Sequence, residues 1–361
     1  MGALLGWVLA ALLAATCTMP GNPHAAALTP RQLAGERVIY SYASLTPPQS
    51  LLDRIRAGEA AGVIFFKDNI SSTTQIASVI QQLKQANAAS PVRAPLLLMT
   101  DQEGGQVRRL PGEPALSEKQ VGQAADPRAA ATRAGTGAGQ NLASVGMNVN
   151  LAPVLDVYRT EGDFMDQFGR SYSKDPAAVS DLGKAFLTAQ QQVGVAATAK
   201  HFPGLGSAAT GQNTDTQPVT LNVPLSTLRS VDEAPYPAAI GAGAKLIMVS
   251  WATYPALDAA HPAGLSPAVV RQELRQRLGY DGVTITDALE AASLQAFGTT
   301  GQRAVSAASA GMDLILCSAR DPSQGSDAVA ALASVYQSGQ LDQADFTAAA
   351  DRVSTLRSSL P

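Results

Sequence analysis

Cysteine, histidine and charge are all scarce in this chain of 361 residues, and each scarcity closes off a class of protein. Only Cys17 and Cys317 are present, so no disulfide framework supports the fold. The three histidines, His24, His201 and His261, are too few for a His-rich metal site, and neither a metal nor another cofactor is expected. Charged residues make up 15% and the net charge is −3, without a basic run, which leaves nothing to hold a nucleic-acid backbone. Neither a Gly-x-Ser-x-Gly elbow nor a glycine-rich dinucleotide fingerprint follows the first apolar run. What is abundant is apolar: 46% hydrophobic residues, enough for a large core and too many for disorder.

The N-terminus points to export. Residues 3–15 (ALLGWVLAALLAA) form an apolar run too short to cross a bilayer core of about 30 Å as a helix, and of the right length for the core of a signal peptide. The small residues after His24 suit cleavage, which divides the chain into a signal peptide at 1–27 and a mature domain at 28–361. A lipoprotein signal is the second reading, since Cys17 follows Ala14-Ala15-Thr16, and it would tether the secreted protein to a membrane. No Lys or Arg precedes the run, and a buried N-terminal helix is the remaining alternative.

Beyond residue 30 a short apolar, β-rich run, a loop and a helical pattern repeat. The runs lie at 37–42, 62–66, 96–101, 149–156, 197–202, 246–251, 282–287 and 313–318. Nearly continuous apolar strands belong to a sheet covered on both faces, the parallel case. Between them, Ile76, Val79, Ile80 and Leu83 make one helical stripe, and Ser266-Pro267 reads as the start of a helix carrying Val269, Leu274 and Leu278. Eight alternating units without a long linker predict an α/β fold, a single-domain (β/α)8 barrel of the TIM type, with an open doubly wound sheet as the alternative.

The polar residues fall where a barrel does chemistry. Asp101, Asp156, Lys200 with His201, and Asp287 end the third, fourth, fifth and seventh runs, at the C-terminal strand ends. An Asp there often caps the next helix, but five convergent polar residues argue for a pocket. Carboxylates and Arg hydrogen-bond neighbouring hydroxyls in pairs, so a small carbohydrate is the expected partner, with the chain a monomer.

At these residues the chain resembles the barrel domain of glycoside hydrolase family 3, specifically its single-domain bacterial β-N-acetylhexosaminidases. The matching segments stand in family order: 101–109 (DQEGGQVRR), 150–156 (NLAPVLD), 168–172 (FGRSY), 200–204 (KHFPG), 254–258 (YPALD) and 280–287 (YDGVTITD). The resemblance covers about residues 35–320. It implies Asp287 as the nucleophile of a retaining exo-glycosidase, and Asp101, Arg109, Arg170, Lys200 and His201 as the grip on the sugar. It also implies terminal β-N-acetylglucosamine of cell-wall origin as substrate.

Two departures follow the fifth run. The hexosaminidase branch carries Pro-Gly-His-Gly and then Asp-Ser-His, the last His serving as general acid/base on its supporting Asp. Here Leu205 replaces the first His, Asp215 matches the supporting Asp, and Gln217 stands in place of the catalytic His. An amide delivers no proton at neutral pH, and positioned acid/base catalysis is worth about 10²–10⁴-fold. Asp215 as the acid, a carboxylate or imidazole from elsewhere (Glu103, Asp166, His261), or a glycan-binding barrel with little turnover are the three accounts left open. With the signature loop altered, β-glucosidase- or β-xylosidase-like specificity stands as a further alternative. Ala288 replaces a second Asp common after the nucleophile.

Overall fold

A computed structural model describes residues 28–361; the apolar run and Cys17 lie outside the described residues. The eight expected runs all appear as strands: β1 (Val38–Tyr40), β2 (Gly62–Ile64), β3 (Leu97–Thr100), β4 (Val149–Asn150), β5 (Ala196–Phe202), β6 (Leu246–Val249), β7 (Val283–Thr286) and β8 (Ile315–Leu316). They pair in parallel in chain order, with β8 returning to β1. Leu314 closes the ring against β7, donating to Thr284 O at 2.9 Å and accepting from Thr286 N at 3.0 Å. The open-sheet alternative is thereby excluded.

Both sheet faces are buried, as the continuous apolar runs require. Ile39, Ile64, Met99, Val149, Met248, Ile285 and Leu316 fill the barrel interior. Their sequence neighbours Val38, Val63, Leu98, Ile247 and Val249 pack outward under the helices. Ile64, Leu151, Met248 and Leu316 also form the floor of the pocket at the C-terminal strand ends, so the top of the core is the bottom of the site.

Local sequence starts the helices cleanly. Asp126, Asp175 and Asp321 each cap a helix that begins with proline: Pro127–Val145, Pro176–Gln192 and Pro322–Gln337. The carboxylate accepts an orphan N–H of the first turn, and proline loses nothing at a position whose N–H has no partner. The stripe of Ile76, Val79, Ile80 and Leu83 is buried in helix Thr73–Ala88, as its spacing predicts. After Ser266-Pro267 the helix Ala268–Arg277 forms with wider, π-type turns. The two long helices Pro127–Val145 and Pro176–Gln192 approach closely because Gly135 has no side chain; a Cβ there would lie 2.2 Å from the carbonyl oxygen of Phe186.

Candidate active site

The pocket is a cavity of about 200 Å³ over the barrel axis. Larger hollows of about 620 and 400 Å³ flank helix Gln343–Ser358 at the opposite end of the barrel, away from the strand ends that carry the polar residues. Asp101, Arg109, Arg170, Lys200, His201, Asp215 and Asp287 all line the small pocket, while the strand-end Asp156 stands behind it, buried against His201.

One wall is a locked charge network. Lys200, on β5, is 2% exposed and places its ammonium 2.7 Å from Asp101 Oδ1 and 2.8 Å from Glu103 Oε1. Arg170 closes a two-pronged pair on the same Glu103, Nε to Oε2 and Nη2 to Oε1, both at 2.8 Å. Burial alone would raise the Glu103 pKa, but the adjacent Arg170 and Lys200 hold its carboxyl well below the usual range. Lys200 and Arg170 stay cationic despite burial, because Asp101 and Glu103 beside Lys200, and Glu103 beside Arg170, outweigh the loss of water. The network is thus charged throughout and fixed in place before any ligand arrives.

His201 follows Lys200 on the same strand, and its Nδ1 lies 2.7 Å from Asp156 Oδ2. The other Asp156 oxygen accepts from the backbone N–H of Leu205 at 2.6 Å and of His201 at 3.3 Å. A carboxylate on Nδ1 sets the tautomer that carries its proton there, which leaves Nε2 for the pocket. Arg109 brings a cation whose buried Nε has no partner among the described residues.

The opposite wall carries Asp287 and Asp215. Asp287 extends β7; its N–H donates to Val249 O at 3.3 Å, and its Oδ1 accepts one hydrogen bond, from Ala288 N at 2.7 Å. Asp215 comes from the loop after β5. Ala292 N donates to Asp215 O at 3.0 Å and Ser293 N to Thr214 O at 3.2 Å, which pins the loop across to the segment after β7. The residue is exposed at the pocket mouth, yet protein crowds its carboxyl. Loss of water and, second, the Asp287 charge push its pKa up to about 6, against the opposing pull of His201 and Arg170.

The altered loop positions resolve clearly. Gln217 is exposed and turns its amide back onto the loop, donating to Gly211 O at 2.7 Å, outside the pocket lining. Leu205 is buried and gives the pocket an apolar wall. Of the other acid candidates, Glu103 is held ionised between its two cations. Asp166 is buried and tied to Lys119 at 2.7 Å and to Gly162 N at 2.8 Å. His261 is exposed on the hairpin Thr253–Tyr254 with Asp258–Pro262, paired to Asp258 at 3.1 Å. Neither Asp166 nor His261 lines the pocket.

Asp156 and Glu103 were named from the sequence without the roles the structure gives them, and Glu290 was not named at all. Asp156 was legible only as a strand-end carboxylate, and its hold on His201 emerges from the fold. Glu103 sits in the Glu-Gly-Gly loop, but its role between Lys200 and Arg170 has no sequence signal. Glu290 accepts from Ser318 Oγ at 2.7 Å and Gln324 Nε2 at 3.1 Å beside the pocket, again without a local pattern.

Fold and pocket together define a barrel whose strand-end site sets two carboxylates opposite a fixed cationic wall. Known proteins narrow this further. Residues 38–356 match the glycosyl hydrolase family 3 N terminal domain. A secreted glycosyl hydrolase, itself uncharacterised, from Arthroderma benhamiae is 46% identical over 91% of this chain and 93% of its own length. The structure resembles a β-N-acetylhexosaminidase from Beutenbergia cavernae (33% identity, TM-score 0.83), covering 91% of this chain and 98% of that one. It also resembles a family 3 β-N-acetylglucosaminidase from a Paenibacillus species (33% identity, TM-score 0.86, 92% of this chain), of which it spans only 63%. The chain belongs to glycosyl hydrolase family 3 and is a glycosidase.

Proposed function

We propose that the protein is an exported retaining exo-glycosidase that releases terminal β-linked N-acetylglucosamine from cell-wall material, with Asp287 as nucleophile and Asp215 as acid/base. The observation that carries this reading is the carboxylate pair: two acids line one pocket, and the environment of Asp215 favours its protonated form. The small cavity suits one terminal sugar ring, gripped by Asp101, Arg109, Arg170, Lys200 and His201.

The cycle follows from the charges. Loss of water and, second, the Asp287 charge favour the protonated form of Asp215, which gives its proton to the departing oxygen as Asp287 bonds to the anomeric carbon. Esterification removes the Asp287 charge, which lowers the Asp215 pKa and turns it into the base that takes a proton from attacking water. Release restores the Asp287 carboxylate and, with it, the proton affinity of Asp215. This arrangement needs no loop histidine, consistent with Leu205 and Gln217.

The acetamido sugar is supported by the names of the two structural relatives, and export by residues 3–15 together with the secreted Arthroderma relative. The test compares wild type with Asp287→Ala on aryl β-N-acetylglucosaminide and β-glucoside. Turnover by wild type alone supports the nucleophile, and preference for the first substrate supports the acetamido sugar. If wild type binds N-acetylglucosamine yet hydrolyses neither glycoside, the chain is a glycan-binding barrel instead.

A further inference from the structure

The alternation of β8 carries one more polar side chain into the pocket. Leu314 and Leu316 face the barrel interior, while Ile315 and Cys317 pack under the helices. Ser318 is next on the inward face, one step above Leu316 of the pocket floor, and it lines the cavity.

Its hydroxyl has a fixed direction. Ser318 Oγ lies 2.7 Å from Glu290 Oε1, and a carboxylate only accepts, so the hydroxyl hydrogen points at Glu290. Glu290 is held in turn: its Oε2 accepts from Ser318 N at 3.2 Å and from Gln324 Nε2 at 3.1 Å. The Gln324 amide has one orientation, because its Oε1 takes the N–H of Ala319 at 2.9 Å. What Ser318 has left for a ligand is its lone pairs.

We propose that Ser318 is a specificity-determining residue that accepts a hydrogen bond from one donor group of the bound sugar, and that Glu290 is the positioning residue that sets this direction. This rests on the pocket holding a sugar ring. A hydroxyl or an amide N–H satisfies Ser318; a fluorine or an ester oxygen at the same place sets acceptor against acceptor.

The direction can be reversed without changing the shape of the site. In Glu290→Gln, the two N–H groups that meet Oε2 keep the amide oxygen there, which puts the amide nitrogen at the Oε1 position, against Ser318 Oγ. The hydroxyl then accepts from the amide and turns its own hydrogen to the pocket.

The test uses aryl β-N-acetylglucosaminides in which the 3-, 4- or 6-hydroxyl is replaced by fluorine or hydrogen, or the 2-acetamido group by 2-acetoxy. The quantity read is kcat/KM of each compound relative to the parent within one enzyme, so that intrinsic effects of the substituent cancel between enzymes. At one position, wild type should be penalised about threefold to tenfold more than Ser318→Ala, the scale of one hydrogen bond. At that position Glu290→Gln should recover the fluoro or acetoxy compound by a similar factor, which a merely structural role of the pair would not do. Should wild type bind N-acetylglucosamine without hydrolysis, the same ratios are read from dissociation constants of the corresponding free sugars. Equal penalties in wild type and Ser318→Ala at every position overturn the proposal, as does a Glu290→Gln variant with the wild-type pattern; activity on the parent then leaves the reading of the pocket intact. Wild type that neither hydrolyses the parent nor binds N-acetylglucosamine overturns that reading, and this inference with it.

Discussion

Asp215 decides how this site behaves with pH. Its pKa is raised to about 6, so it is protonated in the folded protein up to that range while an unfolded chain has lost the proton near 4. The folded state therefore binds more protons between these values, and stability falls as pH rises through that window. Asp215→Asn should consequently raise the melting temperature at pH 8 and leave it unchanged at pH 3, because an amide has no charge to be desolvated or, second, to be repelled by Asp287. Wild type is expected to show an alkaline limb of kcat/KM near pH 6, and the same variant should abolish it. With an activated aryl leaving group the loss in glycosylation rate should be small, and with a poor one about 10²-fold or more. An equal loss across leaving groups would remove Asp215 from the acid role.

Glu103 acts in the opposite sense. Its carboxyl is held below the ordinary range, so its contribution is present above the unfolded value and is lost only deep in acid. Glu103→Gln would leave buried Lys200 and Arg170 facing Asp101 alone. Breaking one member of a buried ionic group costs about 3–5 kcal/mol. Chemical denaturation at pH 7 should show a loss of that order; a variant as stable as wild type would mean that the network relaxes around the missing charge.

Elements were more legible than sites, and the reasons are visible in particular segments. Runs such as 246–249 (LIMV) announce a strand buried on both faces. The run 149–156 instead yields only the two-residue β4, because Pro153 has no N–H for a ladder; beyond it a lone bridge between Val154 and Lys200 continues the pairing. Strand ends named the polar wall correctly, since topology brings successive C-termini to one rim. The hold of Asp156 on His201 and of Glu103 on Arg170 joins residues 45 and 67 positions apart through loop paths that no local pattern encodes. Helix packing gives the prediction at this scale. Gly135→Ala sets a methyl against the Phe186 carbonyl, so the two longest helices must separate, and overpacking of this kind costs about 1–3 kcal/mol. The denaturation midpoint should fall with no change in slope; an unchanged midpoint would show that the contact has slack.

At the scale of the whole molecule, the two ends of the barrel divide stability from chemistry, and Asp313 sets that division to a test. It lies just before β8, fully buried, at the end opposite the pocket. Its carboxylate accepts from Thr284 N of β7 at 2.8 Å, from Arg275 of helix Ala268–Arg277 at 2.6 Å, and from Arg352 of helix Gln343–Ser358 at 2.8 Å. Arg37, just before β1, donates to its backbone carbonyl at 3.1 Å. One residue thus ties the first, seventh and eighth strands to the last helix at the seam where the ring closes. Asp313→Ala leaves two guanidinium groups without their shared anion, at a cost of about 3–5 kcal/mol. The expected result is a large drop in the denaturation midpoint, with kcat and KM of the remaining folded enzyme unchanged, because no pocket residue touches this cluster. A matching fall in kcat measured well below the unfolding transition would show that closure at the base also shapes the rim.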